Sequence, residues 1–167
     1  LDRSSAASDV YKRQACLYVQ EMMKHCKRIW NNYYVIKMDV AKYFQNIDKQ
    51  ILYEILCRKI KDKNLLWLSR EILYSNGVDK GLPIGNYTSQ CFANIYLNEL
   101  DQYMKHKLKL KYTCRYMDDV VALVNTKEEA IEKLNLIRSF LKEKLCLELN
   151  RKTQIFKSTQ GVNFCGY

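Results

Sequence analysis

The stretch Tyr116-Met117-Asp118-Asp119 decides how this chain folds, and it lies between two apolar runs at residues 111–115 and 120–124. Two β-rich segments separated only by a short acidic tetrad predict a hairpin with its carboxylates at the turn. Tight hairpin turns favour Asn-Gly, Asp-Gly or Gly-Gly because they need positive φ, and this turn has none of these pairs. Two adjacent aspartates also repel each other, and a divalent cation between them removes that cost. The stretch therefore predicts a metal site with oxygen ligands.

The composition is that of a globular domain with a basic surface. The 167 residues are 48% apolar and 28% charged, which is enough for one domain with a core. The net charge of +10 favours polyanionic partners such as nucleic acid. No apolar stretch is long enough to span a membrane, and the start lacks a signal-peptide pattern, so we expect a cytoplasmic protein without a membrane partner.

The 7 cysteines are scattered without a Cys-x-x-Cys pair, and only 2 histidines accompany them. These residues cannot be combined into a zinc site by sequence spacing. We therefore expect reduced and mostly buried thiols.

Residues 1–14 differ from the rest of the chain because they show no apolar period. Residues 9–14 back-translate as GAT GTG TAT AAG AGA CAG, which resembles the adapter of transposase-based sequencing libraries. We expect residues 1–14 to be an adapter-derived, non-native segment or, alternatively, a disordered tail. Residues 15–167 would then be the native domain, truncated at both ends.

A third carboxylate stands in a context that matches the acidic tetrad. Residues 16–30 predict an amphipathic helix, and the apolar segment 33–39 predicts a strand that ends in Asp39. At a strand end, Asp39 could cap a turn, or it could join Asp118 and Asp119 in the three-carboxylate cluster that holds two Mg²⁺ ions for nucleotidyl transfer.

The apolar periods of the remaining chain predict four helices and one strand. The helices are expected at residues 49–60, 64–74, 91–108 and from a Thr126 cap to about residue 145, and the strand at residues 146–149. Asp48 is the expected N-cap of the first of these helices, and Thr88 or Ser89 that of the third.

Several motifs in order resemble those of reverse transcriptases. Asp39, Phe44 and then Asn46-Ile47-Asp48 resemble motif A, and Tyr116-Met117-Asp118-Asp119 resembles motif C. The loop at residues 81–90 resembles motif B, residues 146–153 resemble motif D, and residues 161–167 resemble motif E, the primer grip. The resemblance covers nearly all of residues 15–167.

The resemblance implies an α+β fold, a ferredoxin-like polymerase palm with a partial fingers region and no thumb. The predicted order of strands and helices agrees with the split βαβ pattern of such a palm. The rest of the fingers would precede residue 15 and the thumb would follow Tyr167, so we expect little or no polymerase activity from this sequence alone. The implied activity is RNA-directed DNA synthesis with two Mg²⁺ ions, or Mn²⁺ in their place. The implied partners are an RNA template, a DNA or RNA primer and dNTPs, and an accessory protein is left open.

The resemblance also implies roles for particular residues. The catalytic residues would be Asp39, Asp118, Asp119 and Lys152, with Lys152 as general acid for the leaving pyrophosphate. The metal ligands would be Asp39, Asp118, Asp119 and the backbone carbonyl of Val40. The nucleotide-binding residues would be Phe44, Ile84, Gly85, Tyr116 and Met117, with Phe44 excluding a 2′-hydroxyl. The primer grip would include Phe164, Cys165 and Gly166.

One departure from the common family pattern indicates a subtype. Most reverse transcriptases carry Gln-Gly and Ser-Pro where this chain has Ile84-Gly85 and Ser89-Gln90. These pairs resemble the enzymes of diversity-generating retroelements, whose copying is error-prone at adenines. An aliphatic side chain beside the incoming nucleotide cannot hydrogen-bond it, which weakens geometric checking. Ile84 as a plain packing residue is the alternative interpretation.

Other functions fit parts of the same pattern. Group II intron, retron and unclassified bacterial reverse transcriptases are the alternatives within the family. A nucleotide cyclase would need a glycine-rich acidic turn where Tyr116-Met117 stands. A non-catalytic RNA-binding module of ferredoxin-like shape would have no need of three carboxylates.

Overall fold

The computed structural model describes residues 2–160, 162 and 164, and side chains from Val10 onward. The helices are α1 (Asp2–Trp30), α2 (Tyr43–Asn46), α3 (Lys49–Lys59), α4 (Lys63–Tyr74), α5 (Tyr87–Gln102) and α6 (Lys127–Leu145). The strands are β1 (Tyr34–Asp39), β2 (Tyr112–Tyr116), β3 (Asp119–Val124) and β4 (Gln154–Lys157). A π-helical turn (Tyr103–Lys107) continues α5, and a 3₁₀ turn (Ser158–Gln160) follows β4.

The four strands form one antiparallel sheet in the order β2-β3-β1-β4. The helical crossover from β1 to β2 passes over β3, and the crossover from β3 to β4 passes over β1, so each crossover skips one strand. This is the split βαβ arrangement, so the predicted ferredoxin-like palm is confirmed. The predicted hairpin is confirmed as well. Tyr116 pairs with Asp119, which leaves Met117 and Asp118 as the loop.

The two faces of the sheet are buried against different helices, as the alternation of side chains along a strand requires. One face presents residues such as Ile36, Met38 and Ala122 to the main core, which α3, α5 and α6 complete. The other face presents Val35 and Leu123 to α1, whose contacts are Val19, Met22 and Cys26. Helix α1 covers this second face only over part of its length, which leaves the Asp39 end of β1 open.

Helix α1 begins at Asp2, so the predicted start at residue 16 is wrong. A helix that is already nucleated and packed can extend through residues of good helix propensity without an apolar stripe. Ala6, Ala7, Arg13 and Gln14 are of that kind. The adapter origin of residues 1–14 stays a prediction.

Three other expectations need correction. Residues 146–149 do not form a strand: Cys146 takes a left-handed conformation as the C-cap of α6, and only an isolated bridge joins Leu149 to Val40. Helix α5 begins at Tyr87 after Asn86, so Thr88 and Ser89 lie inside the helix and cap nothing. Of the described cysteines, Cys26 alone is buried, whereas Cys57, Cys91 and Cys146 are exposed. The Asp48 and Thr126 caps are confirmed by bonds from the backbone N–H groups of Ile51 and Glu129.

The loop before α5 is fastened to the segment that follows Asp39. Buried Lys49 donates through Nζ to Asn76 Oδ1 (2.5 Å) and to the Val78 carbonyl (2.6 Å). The Gly81 N–H donates to the Ile47 carbonyl, and a Cβ at Gly81 would lie 3.0 Å from the Gln45 carbonyl oxygen. Glycine at position 81 is therefore required by close approach to this protein's own backbone, at a φ of +83°.

In the described part of the chain, no helix is both long enough and apolar enough to cross a membrane.

Candidate active site

The three aspartates line one cleft at the open end of the sheet. Asp39, the last residue of β1, pairs directly with Asp119, the first residue of β3, so the two side chains lie on the same face. Asp118 precedes Asp119 in the hairpin loop. These residues line a cleft of about 460 Å³ together with Lys37, Lys152 and Gln154. The structure thus brings together all four residues that were expected to be catalytic.

The electrostatics of the cleft disfavour charge on Asp118. Burial raises the pKa of the Asp118 carboxyl above its ordinary value, and the negative charges of Asp39 and Asp119 raise it further. A hydrogen bond from the backbone N–H of Asp118 to its own side chain offsets part of this. A cation in the cleft would reverse the balance, because it favours the ionised form of each carboxylate.

Asn150 orients Asp39, and the sequence had not indicated such a role. Its Nδ2 donates to Asp39 Oδ2 (2.9 Å), and its backbone N–H donates to the Asp39 carbonyl (2.7 Å). Its Oδ1 accepts from the backbone N–H of Lys152 (3.2 Å). One side chain therefore fixes both the Asp39 carboxylate and the turn that carries Lys152. The only sequence signal for this role of Asn150 is its place just after an apolar run, and Asn is common in turns for other reasons.

The backbone of Val40 is directed toward the aspartate loop. Its neighbours make the bonds to the segment after α6: the Ala41 N–H donates to the Glu148 carbonyl, and the Asn150 N–H donates to the Asp39 carbonyl. In an antiparallel pair of this kind, the intervening residue points its own N–H and C=O to the opposite side. For Val40 that side is the one occupied by β3 and Asp118, which suits the predicted role of its carbonyl as a metal ligand.

The donor set fits a hard divalent cation. Carboxylate and carbonyl oxygens are the ligands that Mg²⁺ prefers. Within the described residues, no three His, Cys, Asp or Glu side chains already converge as a group that could hold a metal ion. Carboxylates that repel one another are expected to lie apart until a cation draws them together.

The expected nucleotide-binding residues lie in two places. Tyr116 and Met117 belong to the aspartate hairpin, and Met117 takes a left-handed φ of 53°. Ile84 and Gly85 lie in the loop before α5, where the Ile84 side chain is 74% exposed. Half-buried Phe44 lies in α2, and its carbonyl accepts from the Leu82 N–H, two residues before Ile84. Neither Phe44 nor Ile84 lines the aspartate cleft, although the paired backbones bring their segments together.

The primer grip is described only in part. Phe164 is buried between α1 and the sheet, and its carbonyl accepts a bond from Cys16 Sγ (3.4 Å). Its side chain therefore packs in the core. Cys165 and Gly166 lie outside the described residues, and the primer grip stays a prediction.

Comparisons with known proteins agree with this geometry. The family model described as "Reverse transcriptase (RNA-dependent DNA polymerase)" matches residues 4–167. A Saccharomyces cerevisiae protein named for intron 2 of COX1/OXI3 is 25% identical, over 92% of this chain and 25% of that protein. Retron Ec73 reverse transcriptase from Escherichia coli is 32% identical, over 67% of this chain and 39% of that protein.

Among solved structures, apo telomerase from Candida tropicalis, truncated from its C-terminal domain, has a TM-score of 0.68 at 16% identity. The likeness covers 95% of this chain and 37% of that chain, and it shows the fold alone. The chain spans less than half the length of each of these proteins.

Proposed function

Since this chain belongs to the reverse transcriptase family, we propose that its aspartate cleft is the site of RNA-directed DNA synthesis. The reaction would be the template-directed transfer of deoxynucleotides to a primer 3′-hydroxyl. The observation that carries the proposal is the direct pairing of Asp39 with Asp119 beside Asp118, in a cleft that also contains Lys152.

In the proposed mechanism, Asp39, Asp118, Asp119 and the Val40 carbonyl hold two Mg²⁺ ions. When bound, these ions stabilise the charge on the attacking and leaving oxygens. Asn150 keeps the Asp39 carboxylate directed into the cleft. Lys152, on the turn that Asn150 fixes, donates a proton to the leaving pyrophosphate.

The partners follow from the same proposal. Template and primer phosphates contact the basic surface of the chain, whose net charge is +10, without selecting a sequence. The dNTP lies between the aspartates and the loop that carries Ile84 and Gly85. Location in the cytoplasm and the need for an accessory protein stay open to experiment.

The test is primer extension on an RNA template by the protein lengthened on both sides to the size of its relatives. We expect extension with Mg²⁺ and none after chelation, and we expect little from the present sequence alone. The measurement is the length of labelled products on a gel. A folded, lengthened protein that binds RNA but extends no primer would contradict the catalytic proposal and favour a non-catalytic RNA-binding module.

We further propose that the enzyme belongs to a diversity-generating retroelement. Ile84-Gly85 and Ser89-Gln90 support this subtype. The exposure of 74% of Ile84 disfavours the packing interpretation, because its side chain has no core to fill. The intron protein and the retron enzyme among the relatives keep those subtypes as the alternative.

We expect Ile84→Gln to lower misincorporation opposite template adenines by about tenfold, because an amide can hydrogen-bond where an aliphatic side chain cannot. Sequencing of the extension products measures the change. Ile131→Gln, the same replacement at an exposed position on α6, is the matched control and should leave the errors unchanged. Wild-type errors spread evenly over all four template bases would instead favour a retron or intron enzyme.

A further inference from the structure

Arg115 lies on β2 with its side chain on the sheet face opposite to the aspartate cleft. Its pairing partner Val120 belongs to the main core, whereas the adjacent pair of Tyr116 and Asp119 belongs to the cleft face. Only 12% of the Arg115 side chain is exposed, so the guanidinium is held among protein groups.

The guanidinium joins α5 to the aspartate hairpin. Nε donates to both carboxylate oxygens of Asp101 (2.9 and 3.0 Å), and Nη2 donates to Asp101 Oδ2 (2.7 Å). Nη1 donates to Asn94 Oδ1 (3.1 Å) and to the carbonyl oxygen of Met117 (3.0 Å). Asn94 and Asp101 are seven positions apart on α5, which places them on one face of that helix. A single side chain therefore anchors the hairpin loop to a long helix.

The bond to Met117 acts at a strained point of the backbone. Met117 takes a φ of 53°, in the left-handed region that disfavours residues other than glycine. Its carbonyl shares one planar peptide unit with the N–H of Asp118. A hydrogen-bond donor held at the Met117 carbonyl therefore fixes the orientation of the peptide plane that leads into Asp118.

We propose that Arg115 is a positioning residue that keeps Asp118 directed at Asp39 and Asp119. It acts through the Met117 carbonyl, and α5 provides the anchor through Asp101 and Asn94. The proposal rests on the proposed function, because the position of Asp118 matters most if that carboxylate binds a catalytic cation. An ion pair with a structural role alone would alter stability and leave cation binding unchanged.

The test compares Arg115→Lys and Arg115→Met with the wild-type, lengthened enzyme. Lysine keeps the charge near Asp101, but a single ammonium lacks the planar fork that reaches Asp101 and Met117 together. We expect the Kd for Mn²⁺, measured without substrate by electron paramagnetic resonance, to rise about tenfold in Arg115→Lys. We expect kcat to fall about 100-fold, because a displaced carboxylate is misaligned for reaction, and the KM for dNTP to stay within about twofold.

Two further variants keep the test independent of folding. Asp101→Asn weakens the anchor while leaving Arg115 in place, and it should raise the Kd for Mn²⁺ in the same direction. Arg58→Lys alters an exposed arginine that pairs with Glu99 at 3.3 Å, and it should change neither Kd nor kcat. Thermal unfolding identifies any variant that does not fold, and if Arg115→Met is one of them, Arg115→Lys and Asp101→Asn decide the question.

A folded Arg115→Lys enzyme with wild-type Mn²⁺ affinity and wild-type kcat would overturn the positioning role of Arg115 and leave the proposed function unaffected. A wild-type enzyme that neither extends a primer nor binds Mn²⁺ would overturn the proposed function and the assignment together.

Discussion

Asp118→Asn is expected to abolish primer extension while making the metal-free protein more stable. The loss of extension should be about 1,000-fold or more, since a ligand that holds a catalytic cation contributes several kcal/mol to the transition state. The gain in stability has a separate cause. Burial and the charges of Asp39 and Asp119 raise the pKa of Asp118 in the folded state, so ionised Asp118 destabilises that state.

The sign of the pH dependence follows from proton binding. Between the ordinary carboxyl value of 3.8 and the raised folded value, the folded protein binds more protons than the unfolded protein. The free energy of unfolding of the wild type therefore falls as pH rises through this window, and the loss is complete above the raised folded value. Asparagine has no such dependence, so the advantage of Asp118→Asn should be absent at low pH and present at pH 7.

Urea unfolding with a chelator present, at several pH values, measures this difference. Added Mg²⁺ should stabilise the wild type by binding its folded state, and it should stabilise Asp118→Asn less. Glu132→Gln removes an exposed carboxylate on α6 and serves as the control for a general charge effect. A metal-free Asp118→Asn protein that is less stable than the wild type at pH 7 would contradict the repulsion that we assign to the cleft.

Phe44→Ala is expected to admit ribonucleotides. We expect the ratio of kcat/KM for dNTP to that for rNTP to fall by about 100-fold, because the variant lacks the ring that we expect to exclude the 2′-hydroxyl. The ring is held in place by edge-to-face contact with buried Tyr43, at 5.6 Å between centroids. The hydroxyl of Tyr43 donates in turn to the Ala93 carbonyl on α5. The Phe44 ring therefore packs against a buried side chain that is hydrogen-bonded to α5.

Steady-state incorporation of one matched dNTP and its rNTP gives the ratio, which a general loss of active enzyme does not alter. Phe140→Ala is the matched control. The Phe140 ring, on α6, stacks on the Tyr103 ring at 4.2 Å between centroids. Its removal should lower stability without changing sugar selection. An unchanged ratio in Phe44→Ala would show that another residue excludes the 2′-hydroxyl.

The sheet and its aspartates could be predicted because they depend on local patterns. The apolar segment that ends in Asp39 and the hairpin around Asp118 each specify a strand end, and the order of the elements then specifies the antiparallel neighbours. The closeness of Asp39 to the acidic hairpin follows from these two facts, whereas the direct pairing of Asp39 with Asp119 is seen only in the structure. The resemblance to reverse transcriptases had predicted the same cluster, and the family match supports that source independently of the geometry.

The supports of the aspartates could not be predicted, because they are contacts between distant segments. Asn150 lies 111 positions from Asp39, and Asn94 lies 21 positions from Arg115. Nothing in an Asn, read alone, distinguishes a residue that orients a carboxylate from one in an ordinary turn. The left-handed φ of Met117 was equally hidden, since glycine is the usual signal for such a turn and none is present.

The hydrogen bonds between Asn150 and Asp39 couple the position of the Lys152 turn to that of the Asp39 carboxylate. The Asn150 side chain, its backbone N–H and the bond from Ala41 to Glu148 tie the Lys152 turn to the end of β1. The turn cannot swing toward a substrate by itself unless these three bonds break. If Lys152 is the proposed general acid, any movement of its turn toward a substrate must either carry the Asp39 end of β1 with it or be too small to displace that end. Proton delivery and cation placement would then be timed together.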